Sequence, residues 1–281
     1  KPPPPPPARR CAALGVATLD HTKESSLRTY LVTLRRHAPH ADVYLLVDRQ
    51  PSELREDDHT KFLVFDPQSL PRRWPGYHPS TYRYLLYHWF MQGRFKGADG
   101  SQYDVVQACD LRDVAFQADP FEVVKEEGVY AFEEDASMNI GKCWVNRNWI
   151  TACYGQRGLG PLSSTPISCS GYAVGTGGAM AAYFARMVAE MEANPGCEQN
   201  GIDQGIHNVL VRASASGFAS SARFEDEERP ELPAFHFQSN ERGAVYTGGY
   251  APKGEYDIDA EGRYLNRAGV PYAVLHQYDR H

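Results

Sequence analysis

The segment from Tyr103 to Phe121 reads YDVVQACDLRDVAFQADPF. It begins with the apolar run 105–109, whose length and composition predict a buried strand of a parallel sheet. Two carboxylates, Asp110 and Asp113, follow where that strand should end. A second short apolar group then leads to an Asp-Pro turn signal. Because open α/β sheets bind ligands at the carboxyl ends of their strands, both acids are candidate ligand-binding residues.

Acids at a strand end suit a hard divalent cation, Mn²⁺ or Mg²⁺, that is shared with substrate phosphates. The alternative is structural: Asp110 caps a turn, and Asp113 pairs with Arg112 or another base. The residues alone leave both interpretations open.

Length and composition bound the class of protein. A chain of 281 residues can bury one large α/β core. Its formal net charge of −6, with no dense Lys/Arg stripe, argues against nucleic acid as the main partner. No apolar run approaches the roughly 18 residues that a membrane span requires. The chain opens with Lys1 and six prolines, a pattern from which no signal peptide is predicted.

Those prolines predict an extended polyproline II spacer, and the alternative is a proline-rich cytosolic tail or SH3-type ligand. None of the six cysteines has C-x-x-C spacing, which argues against zinc or a thioredoxin-like motif. Cys109 and Cys169 lie in strand-like runs and are predicted to be buried thiols. Cys143 with Cys153 is the favoured disulfide. The absence of an Asn-x-Ser/Thr sequon weakens a lumenal assignment without excluding it.

The first part of the chain predicts a β-α-β unit. Strand-like runs at 12–18 and 43–47 flank a segment in which Leu27, Tyr30 and Leu34 recur at helical spacing. Such a unit is typical of a parallel sheet with a helical crossover. A third short strand is expected at 62–65, and Ser80 can cap a helix that carries Arg83.

The middle of the chain predicts a strand at 128–132, and the acidic run 133–135 after it is interpreted as a solvated face. The segment that continues to about Ser164 is interpreted as a loop-rich insertion that could shape an acceptor groove. Its Trp144 and Trp149 could stack on a sugar, but packing in the core is the favoured interpretation.

A second informative block follows that insertion. A strand at 167–174 leads to Thr176, which can cap a helix, and then to the hexapeptide Asp203-Gln204-Gly-Ile-His-Asn. Asp203 could itself be a helix N-cap. The chain ends with a strand-like run, 272–275, directly followed by His276.

Three of these segments resemble parts of one enzyme class. DLRDVAFQADPF resembles the metal-binding segment of GT-A-fold glycosyltransferases, in which a D-x-D motif precedes a strand and an Asp-Pro-Phe. The spacing here is D-x-x-D, and Leu111 stands where the first acid of a strict D-x-D would fall. Asp203-Gln204 resembles the D-Q-G/D-x-x-N segment of retaining transferases related to glycogenin. In those enzymes a histidine near the C-terminus completes the metal site, and His276 matches it.

The resemblance implies a role for each matching residue. Asp110, Asp113 and His276 would bind the metal. Asp203 would contact the acceptor and donor sugars, and Gln204 would lie beside the reacting anomeric carbon. Five more residues, together with Asp110 in a second role, would contact the nucleotide or the diphosphate: Ala17, Thr18, Leu19, Arg83 and Arg280.

The resemblance also implies a fold and an activity. The expected fold is α/β, a GT-A (Rossmann-like) mixed and mostly parallel sheet flanked by helices. A proline-rich stem or linker, 1–10, would precede one catalytic domain, 11–281, with a nucleotide-binding half at 11–121 and an acceptor half at 122–281. The expected activity is Mn²⁺- or Mg²⁺-dependent transfer from a UDP-sugar to a glycan or glycoprotein acceptor, with retention. No nucleic acid partner is expected.

The expected location is the Golgi lumen, as a type II membrane protein whose anchor is absent from this chain, and the alternative is the cytoplasm. Two other functions remain open. One is a catalytically silent sugar-binding or scaffold protein on the same fold. The other is a sugar nucleotidyltransferase, which would need a Gly-rich loop with a basic residue after the first strand. Residues 20–23, Asp-His-Thr-Lys, do not provide one.

Overall fold

A computed structural model of the chain describes residues 8–71, 73–194, 201–213, 230–250 and 257–280, except for the side chains of residues 213 and 280. These ranges contain both helices and strands, and fifteen of them are used below. The strands are β1 (Cys11–Ala17), β2 (Asp42–Val47), β3 (Thr60–Val64), β4 (Val105–Cys109), β5 (Val114–Phe116), β6 (Val129–Glu133), β7 (Ser168–Thr176), β8 (Phe235–Gln238), β9 (Val245–Thr247) and β10 (Val274–His276). The helices are α1 (Glu24–His37), α2 (Pro79–Met91), α3 (Trp144–Leu159), α4 (Gly177–Ala193) and α5 (Ile202–Ala213).

The larger sheet has seven strands in the order β3-β2-β1-β4-β7-β6-β8. Strands β1 to β4 run parallel to one another, β7 is antiparallel to both β4 and β6, and β8 is parallel to β6. This mixed, mostly parallel sheet confirms the predicted fold class. The β-α-β opening is confirmed as well, since α1 connects β1 to its parallel neighbour β2.

Alternating side chains of β1 and β4 separate the core into two layers. Ala12, Leu14 and Val106 belong to the layer that contains the buried residues of α2 and α4. Ala13 and Val105 belong to the other layer, with the buried residues of α1. Both faces of β1 and β4 are therefore apolar, which explains why their sequences read as continuous apolar runs.

A smaller sheet has the order β5-β10-β9. Strand β10 is antiparallel to β5, with His276 opposite Val114, and parallel to β9. The C-terminal strand therefore returns to the segment that directly follows β4. This pairing joins chain positions that are more than 150 residues apart, and it determines where His276 lies.

Two sequence-based expectations are wrong. The supposed loop-rich insertion contains the 16-residue helix α3, which is kinked at Gly155, where φ is +64°. Ile150, Cys153 and Tyr154 are buried at helical spacing in this helix. Cys143 is free whereas Cys153 is disulfide-bonded, so these two cysteines do not form the favoured bridge. Cys109 and Cys169 are free and buried, as predicted.

Candidate functional site

The acids that follow β4 and the histidine that ends β10 lie together at one edge of the large sheet. The backbone N–H of Asp110 donates to Gly171 O of β7 at 2.8 Å, which fixes the chain at the point where β4 ends. The pairing of β10 with β5 brings His276 beside Asp113, and Gln277 N donates to Asp113 O at 2.8 Å. The three predicted metal ligands are thus brought together by two separate strand pairings.

One ligand atom from each of these side chains lies within 4.8 Å of the other two. His276 Nε2 is 3.4 Å from Asp110 Oδ2 and 3.9 Å from Asp113 Oδ1. His276 and Asp113 are buried, and the Asp110 side chain is 35% exposed. Two carboxylate oxygens and one imidazole nitrogen, open to solvent on one side, could hold a divalent metal ion.

The two oxygens of Asp113 have different surroundings. Oδ2 accepts a hydrogen bond from Arg112 at 2.7 Å, as the structural alternative predicted. Oδ1 is buried and has no hydrogen-bond partner in the described part of the chain. A buried carboxylate oxygen without a partner is costly in free energy. Because this oxygen faces His276 and Asp110, a cation bound between them would satisfy it, and the residues therefore fit a metal site.

The charges of this cluster favour ionised carboxylates. Burial raises the pKa of Asp110, but the Arg83 guanidinium and His276 outweigh it and hold the pKa well below its ordinary value. Burial lowers the pKa of His276, but Cys169, whose Sγ is 3.6 Å from Nδ1, and Asp110 raise it well above its ordinary value. The group therefore attracts positive charge, which a metal ion or a proton on His276 can supply.

Two glycines make room for this arrangement. A Cβ at Gly171 would lie 2.4 Å from His276 Cε1 and 2.7 Å from Asp110 Oδ2. A Cβ at Gly15 of β1 would lie 2.3 Å from a methyl carbon of Leu111, which is buried. Leu111 thus fills the space beside Gly15 in the core. Leu111, between the two acids, thus points into the core, while Asp110 and Asp113 both lie at the site.

A buried arginine links this cluster to the second motif. Arg83, on α2, has a side chain that is 6% exposed, and its Nη1 donates to Asp110 Oδ1. Its Nη2 donates to Asp203 Oδ2 at 3.0 Å and to Ser170 O at 3.0 Å. Arg83 is therefore a buried bridge between the two carboxylates and does not form a surface ion pair.

Asp203 lies one residue inside α5, and its carboxylate is directed to the site. Oδ2 accepts from Ser170 Oγ at 3.0 Å as well as from Arg83. Burial raises the pKa of Asp203, and Arg83 opposes that rise. The structure therefore gives Asp203 a buried ion pair, and not the N-cap position that was the alternative.

Gln204 has both ends of its amide bound to β7. Oε1 accepts from Ser170 N at 2.7 Å, and Nε2 donates to Ser168 O at 2.8 Å. Asn208, one turn later, accepts from Ser168 N at 2.8 Å. These bonds fix α5 against β7, so Gln204 has a structural role beside Asp203 whatever its role in chemistry.

A cavity of about 510 Å³ opens beside these residues, a volume within the usual range of roughly 300–1,000 Å³ for small-molecule sites. Four residues predicted for the site line it: Arg83, Asp110, Asp203 and Gln204. Other lining residues were not predicted from the sequence, and they include Glu134, Val145, Asn146, Tyr250 and Gln277. Trp149 also lines the cavity, and for it the contact with a sugar was the less favoured interpretation.

The positions of Glu134 and of the two tryptophans correct the sequence interpretation. Glu134 is only 8% exposed, so the acidic run is not a solvated face at this position. Trp149 is partly buried and lines the cavity, whereas Trp144 is 67% exposed, so neither belongs to the core. The helical spacing of Ile150, Cys153 and Tyr154 was the signal that could have placed Trp149 on a helix.

Among the described residues predicted to contact the nucleotide, Ala17, Thr18 and Leu19 do not line this cavity. Ala17 ends β1 and is buried, and Thr18 is also buried. Leu19 N donates to Asp48 Oδ1 at 2.9 Å. These residues follow the strand next to β4 at the same edge of the sheet, and their contact with a nucleotide stays a prediction. The side chain of Arg280 lies outside the described residues, so its contact stays a prediction too.

The sheet order and the acidic strand end define an α/β fold of the GT-A class. The same fold is seen in a crystal structure of the galactosyltransferase LgtC in complex with donor and acceptor sugar analogs. The TM-score is 0.51 at 14% identity, over 95% of this chain and 87% of that chain. No protein-family model and no curated protein matches the sequence. At this identity the likeness shows the fold, and the glycogenin-like subtype has no support from sequence families.

Among the described helices, none is both long and apolar enough to cross a membrane.

Proposed function

We propose that this chain is a metal-dependent glycosyltransferase that moves a sugar from a UDP-linked donor to a glycan or glycoprotein acceptor. The observation that carries the proposal is the convergence of Asp110, Asp113 and His276 at the carboxyl edge of the sheet. The likeness in fold to a galactosyltransferase solved with donor and acceptor sugar analogs supports it. A nucleotide diphosphate is the ligand that such a metal site at a strand end suits.

Asp110, Asp113 and His276 would hold Mn²⁺ or Mg²⁺. The bound ion would neutralise charge on the diphosphate leaving group and orient it. Arg83 keeps Asp110 and Asp203 in fixed positions, so the metal side and the sugar side of the cavity are joined by one guanidinium. Such preorganisation is what lets polar groups stabilise charge that develops during the reaction.

Asp203 and Gln204 support retention at the anomeric carbon. The carboxylate of Asp203 would accept hydrogen bonds from donor hydroxyls, and its negative charge would favour a developing oxocarbenium ion. Gln204 would hold its place beside that carbon because its amide is bound to β7 at both ends. The stereochemistry of the product, read by NMR, tests this part of the proposal.

The experiment that tests the proposed activity is a donor screen. UDP release from a panel of UDP-sugars is measured with Mn²⁺ and with EDTA. We expect Mn²⁺-dependent release from at least one donor, since slow hydrolysis usually accompanies transfer when acceptor is absent. A sugar-binding scaffold would bind without release, and that result would contradict the proposal.

We propose the Golgi lumen as the location. The disulfide of Cys153 supports it, because disulfides persist in oxidising compartments. Immunolocalisation of the native protein to the cytoplasm would contradict this assignment.

A further inference from the structure

The cavity beside Asp203 has an aromatic wall, formed by Trp149 and Tyr250, to which the proposed function assigns no role. Val145 and Trp149 lie one helical turn apart on α3 and line the cavity together with Tyr250. Asp110 and Asp203 line the same cavity. A ligand that fills it therefore meets charged groups in one part and aromatic rings in another.

The indole of Trp149 is held by the backbone of the segment that carries Asp203. At Gly201, where φ is +84°, a Cβ would lie 2.1 Å from Trp149 Cζ2. At Gly205 a Cβ would lie 3.0 Å from Trp149 Cβ. Two glycines on either side of Asp203 thus let α3 and α5 approach closely, and the ring sits within a few residues of the carboxylate. A ring that is already ordered loses little entropy when a ligand stacks on it.

The polar lining beyond the aromatic wall includes acceptor oxygens of Gln277 and Glu134. Gln277 Oε1 is buried and has no hydrogen-bond partner among the described residues. Glu134 also lines the cavity, and a Cβ at Gly249 would lie 2.8 Å from Gln277 Oε1 and 3.3 Å from Glu134 Oε2. These two oxygens therefore lie close together around Gly249. A ligand that fits them must donate more than one hydrogen bond.

A pyranose meets both demands. One face of its ring is made of C–H groups and can lie on an indole, while its hydroxyl edge donates hydrogen bonds. Aromatic residues with a few placed polar groups are the usual lining of such a site. A serine or threonine side chain of a peptide offers only one hydroxyl and no comparable apolar face.

We propose that Trp149 is the stacking platform of the acceptor site, and that the group accepting the transferred sugar is itself a pyranose, with Glu134 and Gln277 binding its hydroxyls. This inference rests on the proposed function and narrows its acceptor from a glycan or glycoprotein to the sugar part. Trp149 acts here as a specificity-determining residue of the acceptor, not of the nucleotide sugar.

The test uses the whole chain with UDP and Mn²⁺ present, and a panel of methyl hexopyranosides as probes. Calorimetry should detect binding of at least one glycoside to the wild-type protein. Trp149→Ala should weaken that binding by roughly tenfold or more, and Trp149→Phe should retain most of it. Trp144→Ala is the matched control, because Trp144 is exposed on the same helix and does not line the cavity. That variant should bind as the wild type does.

Gln277→Asn is a second, independent variant. Asparagine tolerates the φ of +60° at this position but shortens the side chain and withdraws Oε1. We expect weaker glycoside binding, by several-fold, with UDP affinity unchanged. This variant keeps the inference testable even if Trp149→Ala does not fold, since Trp149 packs on Gly201.

Measurements of UDP affinity and donor hydrolysis distinguish a failure of the proposed function from a failure of the acceptor-site inference. If the wild-type protein neither binds UDP nor releases it from a donor, the proposed function fails, and the inference fails with it. If UDP binds normally but no glycoside binds, or Trp149→Ala binds glycosides as the wild type does, only the inference is overturned. Transfer to a serine- or threonine-containing peptide without any response to glycosides would likewise overturn it.

Discussion

Replacement of Arg83 by methionine should destabilise the whole protein. The Arg83 side chain is 6% exposed and pairs with Asp203, which is 3% exposed, and with Asp110, which is 35% exposed. Methionine keeps the length of the side chain but removes the cation. Asp203 then remains a buried carboxylate that accepts a hydrogen bond from the Ser170 hydroxyl but has lost its cation.

The expected loss of folding free energy in Arg83→Met follows from how deeply each partner of Arg83 is buried. Removing one member of a buried ion pair costs about 3–5 kcal/mol, because the other charge stays buried. Asp110 is more than one-third exposed, so solvent screens its interaction with Arg83 and that interaction contributes less to the loss. We therefore expect a loss near the lower end, about 3 kcal/mol. For a domain of this size that corresponds to a fall in melting temperature of about 6–12 °C.

Thermal unfolding at pH 7, followed by circular dichroism, measures the effect. The control is Arg49→Met, since Arg49 forms a solvent-exposed pair with Asp20 at 2.7 Å and its loss should leave the melting temperature almost unchanged. The double variant Arg83→Met/Asp203→Asn should recover much of the loss, because a neutral amide needs no cation. This reasoning is refuted if Arg83→Met melts within about 2 °C of the wild type, as the control should. It is also refuted if the double variant is no more stable than Arg83→Met.

Three other substitutions test separate parts of the structure. Gly171→Ala should weaken metal-dependent UDP binding by about 10–100-fold, because its Cβ would lie 2.4 Å from His276 Cε1. Calorimetry measures the UDP affinity, and an unchanged affinity would argue against the site. Asp203→Asn should lower kcat far more than it weakens UDP binding, and a hundredfold fall corresponds to about 2.7 kcal/mol; a fully active variant would refute the catalytic role. His207 is buried between Tyr183 and Ser168, and burial lowers its pKa from 6.5 to about 3. The unfolded chain then binds more protons, so stability falls as pH drops below 6.5, by about 2 kcal/mol at pH 5 from this group. Chemical denaturation of wild type and His207→Gln at pH 7 and pH 5 checks it, and an equal loss in both proteins would contradict it.

Much of the fold could be predicted because β1, β2 and β4 are buried on both faces. Continuous apolar runs followed by acids located β4 and the candidate metal ligands Asp110 and Asp113. His276 was suggested by its position after a strand and by family resemblance. Its contact with Asp113 depends on the pairing of β10 with β5, and nothing local in the sequence specifies that pairing.

The other wall of the cavity was missed for physical reasons. Helix α3 carries asparagines, glycines and an exposed tryptophan, so its apolar spacing is weak and Gly155 interrupts it. Glu134 stands between two other acids, and a run of acids gives no sign of which one turns inward. Gln204 matched a catalytic motif, but its hydrogen bonds to Ser168 and Ser170 became visible only when α5 lay against β7.

The central claim is that Asp110, Asp113 and His276 form one metal site that serves a nucleotide diphosphate. Calorimetric titration of UDP, with Mn²⁺ and with EDTA, tests it most directly in the wild type and in Asp113→Asn. We predict UDP binding that requires Mn²⁺ in the wild type and is at least tenfold weaker in Asp113→Asn, whose melting temperature should show an intact fold. Equal UDP affinity with Mn²⁺ and with EDTA, or equal affinity in the two proteins, would contradict the account.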